Sequence, residues 1–246
     1  MEAFLNHNRL DPLSCSCNKH TFKRAMKIII IKSFADYLEQ VCSTAFNGHL
    51  FRGVQDAAAH KLVTSIGRLP KFDKATLADI TKEEKHWLKR FRLEGARHVS
   101  GNITEWEWMV LARHHGLPVR LLDWTRNPLI ALYFAVWDRS GKVAAVYAEK
   151  FTTQIDLDAV KDPFLVKKVA KFQPAQTTDR MAAQATIMTI HPDIKNVYES
   201  KTLQRFEISP KLAVDFKVSL RRLDISPATV FPDLDGLAKS IRYEGA

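Results

Sequence analysis

Chemistry-capable side chains concentrate between Arg113 and Ala135, RHHGLPVRLLDWTRNPLIALYFA, where two adjacent imidazoles, arginines, a carboxylate, an indole and a hydroxyl precede an almost purely apolar run. His114 and His115 are neighbours in sequence, so on a helix their rings diverge by about a quarter turn or more and do not readily share one metal ion. Asp123 is a candidate buried partner for Arg120 across the LLDW turn. A metal-dependent nuclease built on His114, His115 and Asp123 would need more carboxylates than this stretch supplies.

A second centre of interest is Arg52, which follows an aromatic residue and precedes Gly53. A guanidinium projecting from a strand beside a thin peptide suits a phosphate or pyrophosphate group; the alternative is an arginine bridging to a core carboxylate. Thr125 precedes a helix start, where a hydroxyl caps amides or meets a ligand. Tyr133 and Phe134 sit in a helical run and read as core, with stacking on a base or nicotinamide ring as the alternative. The chain contains no Walker loop, dinucleotide-binding glycine turn, zinc-protease helix or nucleophile elbow. The residues by themselves thus leave an arginine- and histidine-rich site whose reaction is open.

These side chains must be positioned by a mixed fold. Ile28 to Ile31 predicts a strand, and Ser33 is a candidate N-cap for a helix over FADYLEQVCSTAF that Gly48 ends. HLFRGV predicts the short strand that carries Arg52. A helix is expected to begin near Thr81, ahead of Glu83 and Glu84, and to bury Trp87, Leu88 and Phe91. Trp106 to His114 predicts another helix, broken at Gly116-Leu117-Pro118. VRLLDW then predicts a strand and PLIALYFAVWD a helix with Pro128 in its first turn. Strands are expected over Lys142–Glu149, Ala185–Ile190 and Gln204–Ile208, a basic helix over Pro163–Phe172, and a last helix through PDLDGLAKSIRYE. No repeat, low-complexity tract or Gly/Ser linker marks a second domain, so the expected class is α+β in one mixed domain.

Composition bounds the function. With 246 residues, 46% hydrophobic and 26% charged, the chain can bury a sizeable core, and its formal net charge of +10 favours polyanionic partners such as RNA or DNA. No apolar run approaches the roughly 20 residues of a membrane span, so a soluble, cytoplasmic protein without a membrane partner is expected. MKIIIIK resembles a signal peptide's charged start, but Lys32 and Asp36 interrupt it, and a buried first strand is the better account. The three cysteines make no disulfide framework; Cys15 and Cys17, with His7 or His20, are an improvised zinc set at best. Residues 1–25 lack apolar periodicity and read as a flexible tail before a domain over 26–246.

Four stretches carry a resemblance: FRG at Phe51–Gly53, HHGLPVRLLDWTRNPLIALYFAV at His114–Val136, DRMAAQATIMTIHP at Asp179–Pro192 and VFPDLDGLAKSI at Val230–Ile241. In that order, from about Ser33 onward, the chain resembles FRG-domain proteins. That family occurs in bacterial and phage-related proteins, which implies a role in defence or as a toxin. The chain also resembles ADP-ribosyltransferases, with Phe51-Arg52-Gly53 matching their first motif and Asp123-Trp124-Thr125 with Pro128–Ala135 the second.

The resemblance implies an ADP-ribosyltransferase-like fold with a split central sheet surrounded by helices, and NAD as co-substrate without a metal. It implies Arg52, Thr125 and Gln184 as catalytic residues. Arg52, Gly53, His115, Arg120, Trp124, Thr125 and Tyr133 form the implied NAD site, with Tyr133 or Trp124 flanking the nicotinamide. The third transferase motif places a glutamate where this chain has Gln184, which can hydrogen-bond a ribose but cannot act as a general base; Glu199 and Glu207 are the substitutes on offer. Charge and this departure together favour a nucleic-acid acceptor, RNA over DNA, and an acidic antitoxin as a further partner. The alternative is a non-catalytic module that grips nucleic acid or a nucleotide through Arg52, His115 and Arg120.

Overall fold

The computed structural model describes residues 26–137, 141–175 and 178–244; the expected tail at 1–25, with its Cys15–Cys17 pair, lies outside the described residues. The first part of the chain runs β1 (Lys27–Ile31), α1 (Phe34–Cys42), β2 (Leu50–Val54), α2 (Leu77–Gly95), α3 (Glu105–His114), β3 (Leu121–Thr125), α4 (Pro128–Val136) and β4 (Ala144–Glu149). It continues with β5 (Ala170–Phe172), α5 (Asp179–Ala183), β6 (Thr186–Ile190), β7 (Gln204–Ile208), α6 (Ala213–Arg222), α7 (Pro227–Val230) and α8 (Leu234–Glu244). The α+β class is as expected. None of the described helices is long and apolar enough to cross a membrane.

All seven described strands form one sheet in the order β1-β7-β4-β2-β3-β6-β5, mixed because β1 runs parallel to β7 while the other neighbours are antiparallel. The expected split into two sheets is therefore corrected to one hydrogen-bonded sheet. Its centre is nevertheless weak: β2 and β3 share the single pair Phe51–Thr125, whereas β2 pairs with β4 over five positions. Side chains alternate across a strand and registered partners share a face, so Phe51, Thr125, Asp123, Leu121, Met188 and Ile190 point to one side. On that side α1, α4 and α6 cover the half of the sheet that includes Phe51 and Phe206, and α3 covers the half that includes Met188 and Ile190. Leu50, Val54, Leu122, Trp124, Tyr147 and Ile187 build a separate core on the opposite side.

The helix ends follow local chemistry. The side chain of Asn127 accepts from the Leu129 amide and Pro128 fills the first turn of α4, a helix apolar on all sides and accordingly buried from Ile130 to Tyr133. Helix α2 begins at Leu77, one turn before the expected start, because Thr76 and Asp79 form a reciprocal capping box; Thr81 lies inside the helix. Its residues Trp87, Leu88 and Phe91 are half-buried against two cores. The first helix stops at Cys42, with a tight turn over Thr44–Phe46 before Gly48. The helix expected over Pro163–Phe172 is corrected to a turn at Pro163–Leu165 and strand β5: Ala170 and Phe172 are buried opposite Ile190 and Met188, a two-residue period that edge pairing exploits.

Candidate functional site

The cleft opens where β2 and β3 separate. Beyond the Phe51–Thr125 pair the ladder stops, and the Arg52 guanidinium donates through Nη1 to the Asp123 carbonyl at 2.6 Å. Gly53 supports this opening from the other side, since a Cβ there would lie 1.8 Å from the Ala131 carbonyl oxygen of α4. Only glycine lets α4 sit this close to β2. Helix α3 ends at the opposite wall, presenting Arg113 and His114.

The resulting cleft has a volume of about 530 Å³ and among the described residues is lined by four arginines, Arg52, Arg68, Arg113 and Arg180, against one carboxylate, Asp123. Asp123 Oδ2 accepts from Arg113 Nη2 at 2.6 Å and lies 3.6 Å from Arg52 Nη1. Burial pushes the Asp123 carboxyl up, but Arg113 and Arg52 outweigh it and hold the group below the usual carboxylate range, so it is ionised at neutral pH. Burial lowers Arg52 to about 10, with repulsion from Arg113 and Arg68 in the same direction and Asp123 opposing; it keeps its proton at pH 7. Arg68 is likewise lowered by burial and by Arg113. Among the described residues neither Arg68 nor Arg180 has a carboxylate partner. One carboxylate does not neutralise four guanidinium groups, and the arrangement favours a polyanion.

Thr125 and Gln184 also border the cleft. Thr125 Oγ1 accepts from the Asn127 amide, so the helix cap belongs to Asn127 and the threonine orders the turn before it. Gln184 caps the C-terminus of α5, not a strand, and its Nε2 donates to the Val230 carbonyl at 3.2 Å.

Several expected contacts are not brought together. Arg120 is not held by Asp123: it lies buried on Glu84, with Nε at 2.9 Å and Nη2 at 2.8 Å from the carboxylate, and is absent from the cleft wall. Three residues apart on a strand, Arg120 and Asp123 face opposite sides. Tyr133 is buried in the core under α4, stacked on Trp137, and does not reach the cleft; Phe134 does. Trp124 borders the cleft, but its indole packs on the far side of β3 against Phe151 and donates to Thr189 Oγ1 at 2.9 Å. His115 caps α3 and lines a neighbouring cavity. Glu199 and Glu207 line a third cavity of about 760 Å³, larger than the cleft and more mixed in charge. Among the described residues no three His, Cys, Asp or Glu side chains converge as metal ligands.

Arg68 and Arg180 join the site without having been singled out in the sequence, whereas Phe134 was read as core with ring stacking as the alternative and borders the cleft. Arg180 had a signal, because it lies four residues before Gln184 and so on the same face of a helical turn. Residues 47–143 match the family model of the FRG domain. That stretch is similar to the FRG domain. The matched stretch of that domain supplies Arg52, Arg68, Arg113, His114, Asp123, Thr125 and Phe134, and the rim is completed by Arg180 and Gln184 from the later chain. Searches of curated proteins and of solved structures each found no match.

Proposed function

We propose that the chain binds NAD in the cleft between β2 and β3 and transfers its ADP-ribose group to a nucleic acid, RNA first. The observation that carries this reading is the cluster of four arginines around one ionised carboxylate, in which Arg52 and Asp123 lie in the segments that resemble the first two ADP-ribosyltransferase motifs. Arg52, Arg68 and Arg180 hold the pyrophosphate. Breaking the nicotinamide glycosidic bond builds positive charge on the ribose, which Asp123, the anionic group of the cleft, stabilises. Thr125 and Gln184 orient the ribose by hydrogen bonds. The FRG resemblance extends the proposal to a toxin in bacterial or phage conflict, restrained by an acidic antitoxin that covers the cationic cleft.

A specific observation favours a second reading, a nucleotide-binding module without turnover: among the described residues no glutamate lines the cleft, and Gln184 cannot take a proton. One experiment separates the two. Purified protein is incubated with labelled NAD and, separately, RNA, DNA and protein lysate, while NAD affinity is measured directly. Release of nicotinamide with labelled RNA supports the transferase, and binding without release supports the module. Arg180→Ala, at an exposed position, should weaken NAD binding about tenfold at unchanged thermal stability. Failure of the wild type to bind NAD refutes both assignments of the ligand.

A further inference from the structure

His114 stands in two cavities at once. It is the last residue of α3 and borders the cationic cleft on one side and, on the other, a cavity of about 310 Å³. The chemistry of this second cavity is different. Among the described residues no lysine or arginine lines it; Trp106, Phe172 and Met181 form apolar walls, with His98, Ser100, His115 and Thr178 as hydrogen-bonding groups and Glu107 as its one carboxylate. Trp106 and Phe172 are buried with ring centroids 4.7 Å apart, so this wall is firmly packed. A chamber without a cation does not suit a phosphate, whereas its size and apolar walls suit one planar, uncharged heterocycle.

The His114 ring is equipped for proton transfer. Its Nε2 atom is buried and among the described residues has no hydrogen-bond partner, an uncommon condition that a ligand entering either cavity would relieve. The groups that face the ring electrostatically are Asp123 from β3, Arg180 from α5, and Arg113 and His115 from its own helix end. Burial lowers the imidazole below its ordinary value, Asp123 opposes this, and Arg180, Arg113 and His115 reinforce it; the ring is neutral at pH 7 and free to accept a proton. The cleft's other described imidazole, His60, is exposed to solvent, and two further groups lack basicity. Gln184 has no basic atom, and Asp123 is held ionised by two arginines.

We infer that His114 is the general base of the transfer, taking the proton of an acceptor nucleobase seated in the second cavity. This deepens the NAD reading above and rests on it. As the N–H nitrogen of the base attacks C1′ of the nicotinamide ribose, the C1′–N bond to nicotinamide breaks. Its electron pair leaves with the ring, which departs as neutral nicotinamide. The proton displaced from the acceptor nitrogen passes to His114 Nε2, so charge and atoms balance. The position of His114 between the two chambers places the proton acceptor where nucleotide and acceptor would meet.

The test uses the full chain with NAD and a labelled RNA oligonucleotide, and compares wild type, His114→Gln and Ser100→Trp. Ser100 is exposed at the mouth of the second cavity, so the tryptophan fills that cavity without disturbing the core. His114→Gln should keep NAD affinity within about twofold and lower kcat for transfer by roughly 100-fold, the ordinary scale of general-base loss. It should also remove the acid limb of the rate-versus-pH profile, whose wild-type midpoint lies below 6.5, the ordinary histidine value. Ser100→Trp should raise KM for the oligonucleotide and leave kcat and NAD affinity alone. Wild-type rates and an unchanged pH profile in His114→Gln, with NAD still bound, would overturn the base and leave the NAD reading standing. Nicotinamide competing with the oligonucleotide for the cavity that Ser100→Trp fills would overturn its assignment to the acceptor. A wild type that neither binds nor consumes NAD overturns both readings.

Discussion

Replacing Arg120 by methionine decides whether this arginine serves a ligand or the fold. Glu84 is fully buried and the Arg120 side chain is 5% exposed, so each charge depends on the other. Glu84 accepts from the Arg120 backbone amide at 2.8 Å and from its Nε at 2.9 Å; Nη2 also reaches Thr81 Oγ1 at 3.0 Å, and the guanidinium lies 4.4 Å from the Phe164 ring centroid. Methionine keeps the amide contact and much of the apolar stem but leaves the carboxylate without its cation. Removing one partner of a buried pair costs about 3–5 kcal/mol, which in a chain of this size lowers Tm by roughly 6–20 °C.

The deficit has a pH signature. Burial already pushes the Glu84 carboxyl above its ordinary value while Arg120 pulls it down; without Arg120 the folded-state value rises further. The folded state then binds a proton that the unfolded chain has released, so the variant loses stability as pH rises through the raised value and recovers it toward acid. Scanning calorimetry at pH 5 and pH 8 should show the larger gap to wild type at pH 8. Adding Glu84→Gln removes the charge and retains an acceptor for the Arg120-position amide, and it should restore most of the lost Tm. A single variant within about 2 °C of wild type at both pH values, or one that keeps its Tm and loses NAD, would refute the structural role and return Arg120 to the ligand.

Two further outcomes test the frame of the site. Gly53→Ala forces a Cβ to 1.8 Å from the Ala131 carbonyl, a backbone clash that α4 cannot relieve by a rotamer change, and should cost more than the usual overpacking value of about 1–3 kcal/mol; a cooperative unfolding transition at wild-type Tm would contradict that close approach. His191 is buried, with Nε2 2.8 Å from Thr189 Oγ1, and burial, reinforced by Arg52, lowers it to about 3. The unfolded ring protonates near 6.5 and the folded ring does not, so stability is full above that value and falls as pH drops from 6.5 toward 3. Tm of His191→Gln should be flatter than wild type across that window, and parallel curves would count against the buried neutral ring.

What the sequence made legible follows from local rules. Strand β2 with its FRG triplet, β3, the Pro128-led start of α4 and the strand at Gln204–Ile208 all carry their signals within a few residues. The same rules settle two side chains that the resemblance alone misplaces. A two-residue period puts Trp124 on the opposite face from Asp123 and Thr125, and the spacing of Arg120 from Asp123 separates them likewise. Other features had no local signal. Glu84 lies 36 residues before Arg120, and nothing near either residue marks the pairing. The run Val166–Phe172 is equally basic and apolar as a helix or as an edge strand, and only its pairing with β6 decides. Arg68 reaches the cleft from the end of a single 3-10 turn over Ile66–Arg68.

The FRG triplet itself divides three tasks among consecutive residues. Phe51 points into the core beneath α4 and makes the last pair with β3, fixing where the two strands part. Gly53, on the same side of the strand, admits the Ala131 carbonyl and so lets α4 form one wall of the opening. Parting strands leave backbone acceptors on the inner edge without ladder partners, and such groups need a donor. Arg52 supplies it to the Asp123 carbonyl and, at 3.6 Å, supports the Asp123 carboxylate as well. Arg52 is therefore both a strut across the gap and a cation in the cleft. Its removal would weaken the site and the sheet together, which makes Arg52→Ala ambiguous as evidence for ligand binding. Arg68 and Arg180 carry charge into the same cleft without bridging the strands, and a loss of NAD affinity in those variants at unchanged Tm reports on the ligand alone.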